Sequence, residues 1–356
     1  MKKIALFGPY PPPYGGRSIH IKRLAQRLYE NNYTVDIYHN TKAKNENSIS
    51  KIRRVKSIIF YIFKEKYDII HFHDRNFKLI SILIFFSKFF KYKTVLTYHS
   101  FRDNPVEYRF IEKLFFKYCI KRIDKFVCVG PSEYLKLCKY VNSNKIEVIQ
   151  SYIQPFEDEH EFCVLPNSLK KFINRSNFLI TANGNIRFYN DEDLYGLDML
   201  IDLMDKLVNN NSYNIQLLVA VLGVEEQSEK EREYYNKLKK IIKNYSLENN
   251  IYLYEVKNTE LYPLLRRSQL FIRPTNTDSY GVSIAEAIYA GIPAIASNVC
   301  ERPTGTILFP SRNQEKLYLQ VNKVFNNYLY YHEQVETIDQ IDYFNDINHL
   351  YMHLSK

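Results

Sequence analysis

The stretch TDSYGVSIAEAIYAGIP (277–293) sets two carboxylates, Asp278 and Glu286, eight positions apart around a Tyr-Gly pair. The run before it, LFIRPT (270–275), reads as a strand. VSIAEAIYA has helical periodicity, with Ile284 and Ile288 on one face and Gly291 as the stop. The segment is therefore a strand-to-helix corner whose helix begins near Gly281. A helix start offers unbonded amides and the positive end of a dipole, which suits an anion. Asp278 falls in the loop ahead of that end. Glu286 falls about one and a half turns further on, too deep to be a cap. A carboxylate there accepts two hydroxyls at once, as from a ribose.

Other stretches offer chemistry of their own. GPYPPPYGGRS (8–18) follows the first strand and precedes a helix, but it has neither the G-x-G-x-x-G nor the P-loop spacing. The pair Gly15 and Gly16 lets a ligand approach the backbone, or simply makes a tight turn. HFHD (71–74) sets His71 and His73 on one side of a strand end; with no third ligand at a recognised spacing, a structural role is expected. His99, in LTYHSF, ends another strand, with Arg102 just beyond it. The Asp-x-Asp of NDED (190–193) and the EDE of 157–159 have the spacing that holds a divalent ion on a diphosphate. Both lie in hydrophilic runs and read as solvated loops, so no metal and no cofactor is expected.

The elements that must position these residues alternate. Strands are expected at 3–8, 34–39, 68–73, 93–99, 125–130 and 145–150, with helices at 18–31, 51–66, 76–91 and 106–122. The alternation lapses over 151–177, read as a connection, and restarts. Strands follow near 178–183, 215–223, 251–256, 270–275, 293–297 and 305–309, with helices from 196, at 228–244 and at 281–290. Strands alternating with helices mean βαβ units, here in two doubly wound parallel sheets. The expected fold class is α/β, with residues 1–155 as one domain and 156–334 as the second. A final helix, 335–356, packs back on the first. Ligands bind such sheets beyond the carboxyl ends of the strands, so the site is expected in the cleft between the two.

A chain of 356 residues with 46% hydrophobic and 25% charged content suits two globular domains. The N-terminus has too short an apolar run for a signal peptide, and LISILIFF (79–86) is the longest approach to a membrane span. Five irregularly spaced cysteines point to reduced thiols and a cytoplasmic location. Residues 1–150 carry 29 Lys/Arg against 12 Asp/Glu, whereas the remainder is acidic. KIRRVKSIIFYIFKEK (51–66) and YRFIEKLFFKYCIKRIDK (108–125) mix that basic charge with apolar side chains. They suit surface helices on an anionic membrane leaflet, or sheet-packing helices with lysine-lined outer faces. Nucleic acid is not expected as a partner, because no recognition module accompanies the charge.

In its carboxylate corner the chain resembles glycosyltransferase family 4, the retaining enzymes of the GT-B fold. The family's E-x7-E and A-x-x-x-G-x-P-V-I-A-S read here as D-x7-E and AIYAGIPAIAS (287–297). PPPYGG, DIIHFHD (68–74), TVLTYHS (94–100), YGLDMLIDLM (195–204) and YPLLRRSQLFIRPT (262–275) extend the likeness over nearly the whole chain. The resemblance implies a nucleotide-diphosphate-sugar donor, with a UDP-sugar favoured, and transfer to a hydroxyl of a lipid-linked glycan in bacterial surface polysaccharide synthesis. No metal takes part. It places Gly15 and Gly16 near the diphosphate, His99 and Asp278 at the sugar, and Glu286 at the ribose. The amides of Tyr280, Gly281 and Val282 face the diphosphate.

Two departures stand out. The first carboxylate is Asp rather than Glu, and Tyr195 stands where the family's donor-binding Lys is expected. Arg187 takes the place of the family's Arg, and Arg273 is the expected substitute for the Lys, ahead of Arg302. The alternatives are a GT-B epimerase or phosphorylase and an inactive nucleotide-sugar-binding partner subunit.

Overall fold

The computed structural model describes residues 2–12, 14–39, 50–99, 105, 108–156, 159–211, 213–257, 259–339 and 341–354. They divide into two units, 1–153 with 342–356, and 154–341.

The first unit runs β1 (Lys3–Phe7), α1 (Gly16–Glu30), β2 (Thr34–His39), β3 (Lys51–Arg54), α2 (Ile58–Lys64), β4 (Ile69–Phe72), α3 (Phe77–Phe90), β5 (Lys93–Tyr98), α4 (Phe110–Arg122), β6 (Lys125–Cys128), α5 (Pro131–Leu137) and β7 (Ile146–Val148). The described strands form a parallel sheet of order β3-β2-β1-β4-β5-β6-β7. Its central strands are buried on both faces, which is why they read as unbroken Val/Ile/Leu runs rather than alternating ones. On one face, Ile58 and Ile62 of α2, Ile80, Leu83 and Ile84 of α3, and Phe116 and Ile120 of α4 share a single apolar cluster with β1, β4, β5 and β6. The helix expected over 51–66 is thus confined to its second half. KIRR pairs with β2 as an edge strand, and its exposed Lys51 and Arg54 suit an edge that must not recruit another strand.

The second unit opens with α6 (Glu159–Cys163) and α7 (Asn167–Asn174), both within the stretch expected to be a connection. Leu169, Phe172 and Ile173 form an apolar stripe on α7 that packs on the second sheet, so this lead-in is part of the core. There follow β8 (Leu179–Asn185), the short hairpin β9 (Phe188–Tyr189) and β10 (Glu192–Asp193), α8 (Leu197–Asp205), β11 (Gln216–Leu222), α9 (Glu229–Asn244) and β12 (Ile251–Glu255). Beyond them come α10 (Tyr262–Leu265), β13 (Leu270–Arg273), α11 (Val282–Tyr289), β14 (Ala294–Ser297), β15 (Ile307–Phe309), α12 (Gln314–Asn326) and α13 (Tyr328–Glu336). The sheet order is β12-β11-β8-β13-β14-β15, all parallel.

The last helix, α14 (Phe344–Leu354), belongs to the first unit. Phe344, Ile347, Leu350 and Tyr351 line one of its faces and join the cluster that α1 forms on the first sheet. Each sheet is doubly wound, reversing direction after its third strand from one edge. The reversal falls between β1 and β4 in the first unit and between β8 and β13 in the second. Such switch points are where open α/β sheets bind ligands.

Candidate functional site

At the switch point of the second unit, Arg273 is the last residue of β13. Its Nε donates to Asp278 Oδ2 at 2.6 Å, and its Nη1 donates to Asn183 Oδ1 on β8 at 3.2 Å and to Ser283 Oγ on α11 at 3.4 Å. Arg302 closes on the same carboxylate oxygen, with Nη1 at 2.8 Å. The remaining nitrogens of Arg302 are committed as well: Nε to the Ser297 carbonyl, and Nη2 to Thr275 Oγ1 and Ser297 Oγ. The Arg302 side chain is only 2% exposed, against 12% for Arg273. Arg302 is therefore a buried brace. Arg273 keeps Nη2 unassigned among the described residues.

The other oxygen of Asp278, Oδ1, accepts the Ser279 amide at 3.1 Å. Burial by itself raises the pKa of a carboxyl; here the two guanidiniums outweigh burial and hold Asp278 far below the usual carboxylate range. It is ionised at any working pH.

The corner turns at Gly281, which caps α11 with φ +93°. A Cβ there would lie 2.6 Å from Ile284 Cδ1 and 3.0 Å from Arg302 Nη1, so both the backbone region and the space require glycine. Tyr280 is buried, and Val282 opens the helix, whose first amides have no intrahelical acceptor. Glu286 is buried on α11 with Ile284, Ala285, Ala287 and Ile288. Arg187, expected at the diphosphate, donates from Nη1 to Glu231 Oε1 of α9 at 2.6 Å. Tyr195 lies over Gly184 of β8, where an added Cβ would stand 2.6 Å from its ring, and the Arg273 guanidinium sits 5.6 Å from the ring centroid. Arg273 thus sets a guanidinium beside Tyr195, from β13.

NDED was expected to be a solvated loop, and at its last residue it is not. Asp193 is 3% exposed and accepts the amides of Tyr195, Gly196 and Leu197 at 3.0–3.1 Å, capping α8. Burial and the nearby Asp198 charge push its carboxyl up to about 6.

At the switch point of the first unit, Gly15 caps α1 and Gly16 begins it. Gly15 is extended, at φ −125°, and a Cβ on either glycine would meet nothing within 4 Å. The glycines leave open space rather than serve a strained turn. Beside them a pocket at the carboxyl ends of β1 and β4 is lined by Phe7, Gly8, Arg17, Phe72, Asp74 and Asn76. His73 and His99 follow β4 and β5, with Nδ1 and Nε2 3.0 Å apart. His71 is structural, as expected: one nitrogen meets the Tyr351 hydroxyl of α14, the other Thr97 Oγ1 at 2.7 Å.

In the sequence, His71 and His73 have no third ligand at a recognised spacing; in the structure, His73 and His99 gain a third imidazole. His20 of α1 supplies it, and among the described residues His20, His73 and His99 are the one His/Cys/Asp/Glu trio with ligand atoms within 4.8 Å of one another. Its only signal in the sequence was a histidine on the buried face of an amphipathic helix, the mark of an ordinary core residue. Burial lowers His20 to about 4 and sets His73 and His99 well below the usual imidazole range, so all three are neutral at pH 7. Arg102 and most of EDE (157–159) lie outside the described residues.

Two sequence families match the chain. Residues 190–338 match the group 1 glycosyl transferases, and residues 14–154 match glycosyltransferase family 4. The chain belongs to the group 1, family 4 glycosyltransferases. The fold is shared with a glycosyltransferase of Rickettsia africae (TM-score 0.71, 16% identity, covering 100% of this chain and 99% of that one). It is also shared with the catalytic domain of Arabidopsis thaliana starch synthase IV bound to ADP and acarbose (0.71, 13%, 99% of each chain). A third likeness is to Anabaena HepE in complex with UDP (0.66, 12%, 100% and 97%). No curated protein matches the sequence. The chain is a glycosyltransferase of the GT-B fold, built from two Rossmann-like units.

Proposed function

We propose that this transferase takes a sugar from a nucleotide-diphosphate donor, a UDP-sugar by preference, and passes it to a hydroxyl of a lipid-linked glycan with retention at the anomeric carbon. The observation that carries the reading is the Arg273–Asp278–Arg302 network at the start of α11. Arg273, with its uncommitted Nη2, and the first amides of α11 at Gly281 and Val282 form a preorganised positive site for a leaving diphosphate. Tyr280 contributes its backbone to the same turn. Glu286 takes the ribose hydroxyls. Asp278 commits Oδ2 to Arg273 and Arg302, so it acts by positioning Arg273. Arg187 reaches the diphosphate on leaving Glu231. The bound UDP of HepE supports the uridine preference.

In the first unit, Gly15 and Gly16 leave open space for a ligand, and His99 is the residue we assign to the sugar. Arg17, Asp74 and Asn76 line a pocket suited to acceptor hydroxyls. Retention follows from front-face attack: the C–O bond to the diphosphate breaks through an oxocarbenium-like state while the acceptor oxygen bonds on the same face, and the departing phosphate takes the acceptor's proton. Arginine and amides carry the charge, so no catalytic metal is needed.

The lipid-linked acceptor rests on the outer surface of α2, α3 and α4. Phe60, Phe63, Phe85, Phe89, Phe110, Ile111 and Leu114 are exposed there, with Phe63 against Phe86 and Phe90. Exposed Lys56, Lys64, Lys88, Lys91, Lys117, Lys121 and Arg122 accompany them. None of the described helices is long and apolar enough to cross a membrane. An aromatic face set among lysines suits shallow insertion into an anionic leaflet, and supports our reading of a protein that works at the cytoplasmic face of a bacterial membrane.

A thermal-shift screen against UDP-, GDP-, ADP- and dTDP-sugars tests the donor. A UDP-sugar raises the melting temperature of the natural protein, and Arg273→Ala weakens its affinity by about one to two orders of magnitude. If no nucleotide sugar shifts the melting temperature, the donor reading fails. Flotation with phosphatidylglycerol vesicles tests the surface, and Phe60→Ser with Phe110→Ser should release the protein at moderate salt.

A further inference from the structure

The three imidazoles at the first unit's switch point are arranged as a ligand set. The ring centroids of His20, His73 and His99 form a near-equilateral triangle, 5.2, 5.1 and 5.3 Å on its sides. A tetrahedral zinc ion held at about 2.0–2.1 Å by three imidazole nitrogens places the ring centroids about 3.2 Å from the metal, and so about 5.2 Å from one another. His73 Nδ1 and His99 Nε2 lie 3.0 Å apart as a hydrogen-bonded pair, whose shared proton must leave that contact for both to ligate. All three ligand atoms lie within 4.8 Å of one another, so shifts of about an ångström bring them onto one ion.

The hydrogen bonding around the trio points the same way. His20 Nδ1 lies 2.8 Å from the Ser151 carbonyl, which can only accept; that nitrogen therefore carries the proton, and Nε2 presents a lone pair. Ligating histidines are oriented by this kind of outer contact. His20 Nε2 is buried and has no hydrogen-bond partner among the described residues. His71 is excluded from the set because both its nitrogens are committed.

We propose that His20, His73 and His99 bind one Zn2+ ion, with the fourth position open to water or a small anion. Three neutral ligands leave the ion its full charge, and the nearby Arg17 charge favours an anion in that fourth place. An ion there takes His99 away from the donor sugar, so occupancy inhibits transfer; this consequence alone rests on the role proposed for His99 above.

The site is tested on the metal-free full-length protein. Zn2+ is titrated by calorimetry, and Co2+ by its visible absorption. One equivalent should bind, and Co2+ should give the intense bands of a four-coordinate ion. His20→Asn keeps a donor for the Ser151 carbonyl but deletes Nε2. Removing a ligand should cost at least the roughly tenfold to hundredfold seen when a ligand's outer partner is removed. His73→Phe, which keeps the ring without its nitrogens, should do the same, and His353→Asn on α14 should change nothing. Failure to bind one equivalent overturns the site, as does unchanged affinity in His20→Asn. Zn2+ inhibition relieved in His20→Asn, relative to that variant's own metal-free rate, supports the consequence. Stoichiometric binding without inhibition overturns the placement of His99 at the sugar and leaves the ion site standing.

Discussion

Between β1 and β4 the first unit gathers neutral imidazoles, two of them with an unpartnered nitrogen. Between β8 and β13 the second unit gathers two guanidiniums that converge on one carboxylate oxygen. The two sheets share a winding, and each has its reactive side chains at the reversal, yet they handle burial oppositely. One removes the charge, leaving groups whose remaining valences are available to a ligand. The other retains charge within a hydrogen-bonded network, leaving one guanidinium nitrogen and the first amides of α11 without an assigned partner among the described residues. A buried charge is tolerable only when paired, so the second arrangement is rigid in a way the first is not.

That contrast makes its largest prediction at Asp278. Asp278→Ala leaves Arg273 and Arg302 buried without a counter-charge, and unfolding stability should fall by about 3–5 kcal/mol. His73→Gln in the first unit removes a neutral ring of similar size, with an expected cost of about 1–2 kcal/mol. Urea unfolding of the two variants measures the gap. Equal costs would break the distinction between a charged knot and a neutral cluster.

The next effect concerns geometry rather than charge. Gly281→Ala introduces a Cβ at φ +93° that meets Ile284 and the Arg302 guanidinium. A loss of about 1–3 kcal/mol is expected, together with weaker donor binding as the helix start shifts. Gly15→Ala meets no atom within 4 Å and no positive φ, so its stability should change by under about 1 kcal/mol. Melting temperatures of the pair sharpen the comparison. A large loss at Gly15 would mean that its surroundings are tighter than they stand here.

Most of the strands and helices were legible because parallel strands buried on both faces leave continuous apolar runs, and the helices between them carry stripes. The misreadings have physical causes. KIRR looked helical because its lysines and arginines matched the basic run after it, whereas an edge strand tolerates those same charges. LPNSLKKFIN reads as a connection because a helix of this length shows only one turn of stripe. At the candidate site, the Asp278–Glu286 corner was visible from spacing alone. What sequence could not convey was convergence: that Arg302 and Arg273 meet on one oxygen of Asp278, and that Asp193 turns inward to accept the amides at the start of α8. His20 was invisible for the same reason, since its partners lie at 73, 99 and 151, and only the fold brings them together.

The smallest effect separates two acids of the second unit by pH. Asp193 is buried and raised to about 6, against about 3.9 for an unfolded Asp. The folded state therefore binds its proton more readily than the unfolded chain does, and Asp193's contribution to stability grows as pH falls from 7 to 5, by about 1 kcal/mol. Asp278 is shifted the other way. Its stabilisation is complete above the unfolded pKa, so it is flat across that window and drains away only as pH falls below about 4. Urea midpoints at pH 7 and pH 5 for the natural protein and for Asp193→Asn isolate the first term. The natural protein should gain stability on acidification relative to the variant. Identical slopes would show that the three amides and the Tyr234 hydroxyl around Asp193 stabilise its ionised form as well as water does, despite its burial.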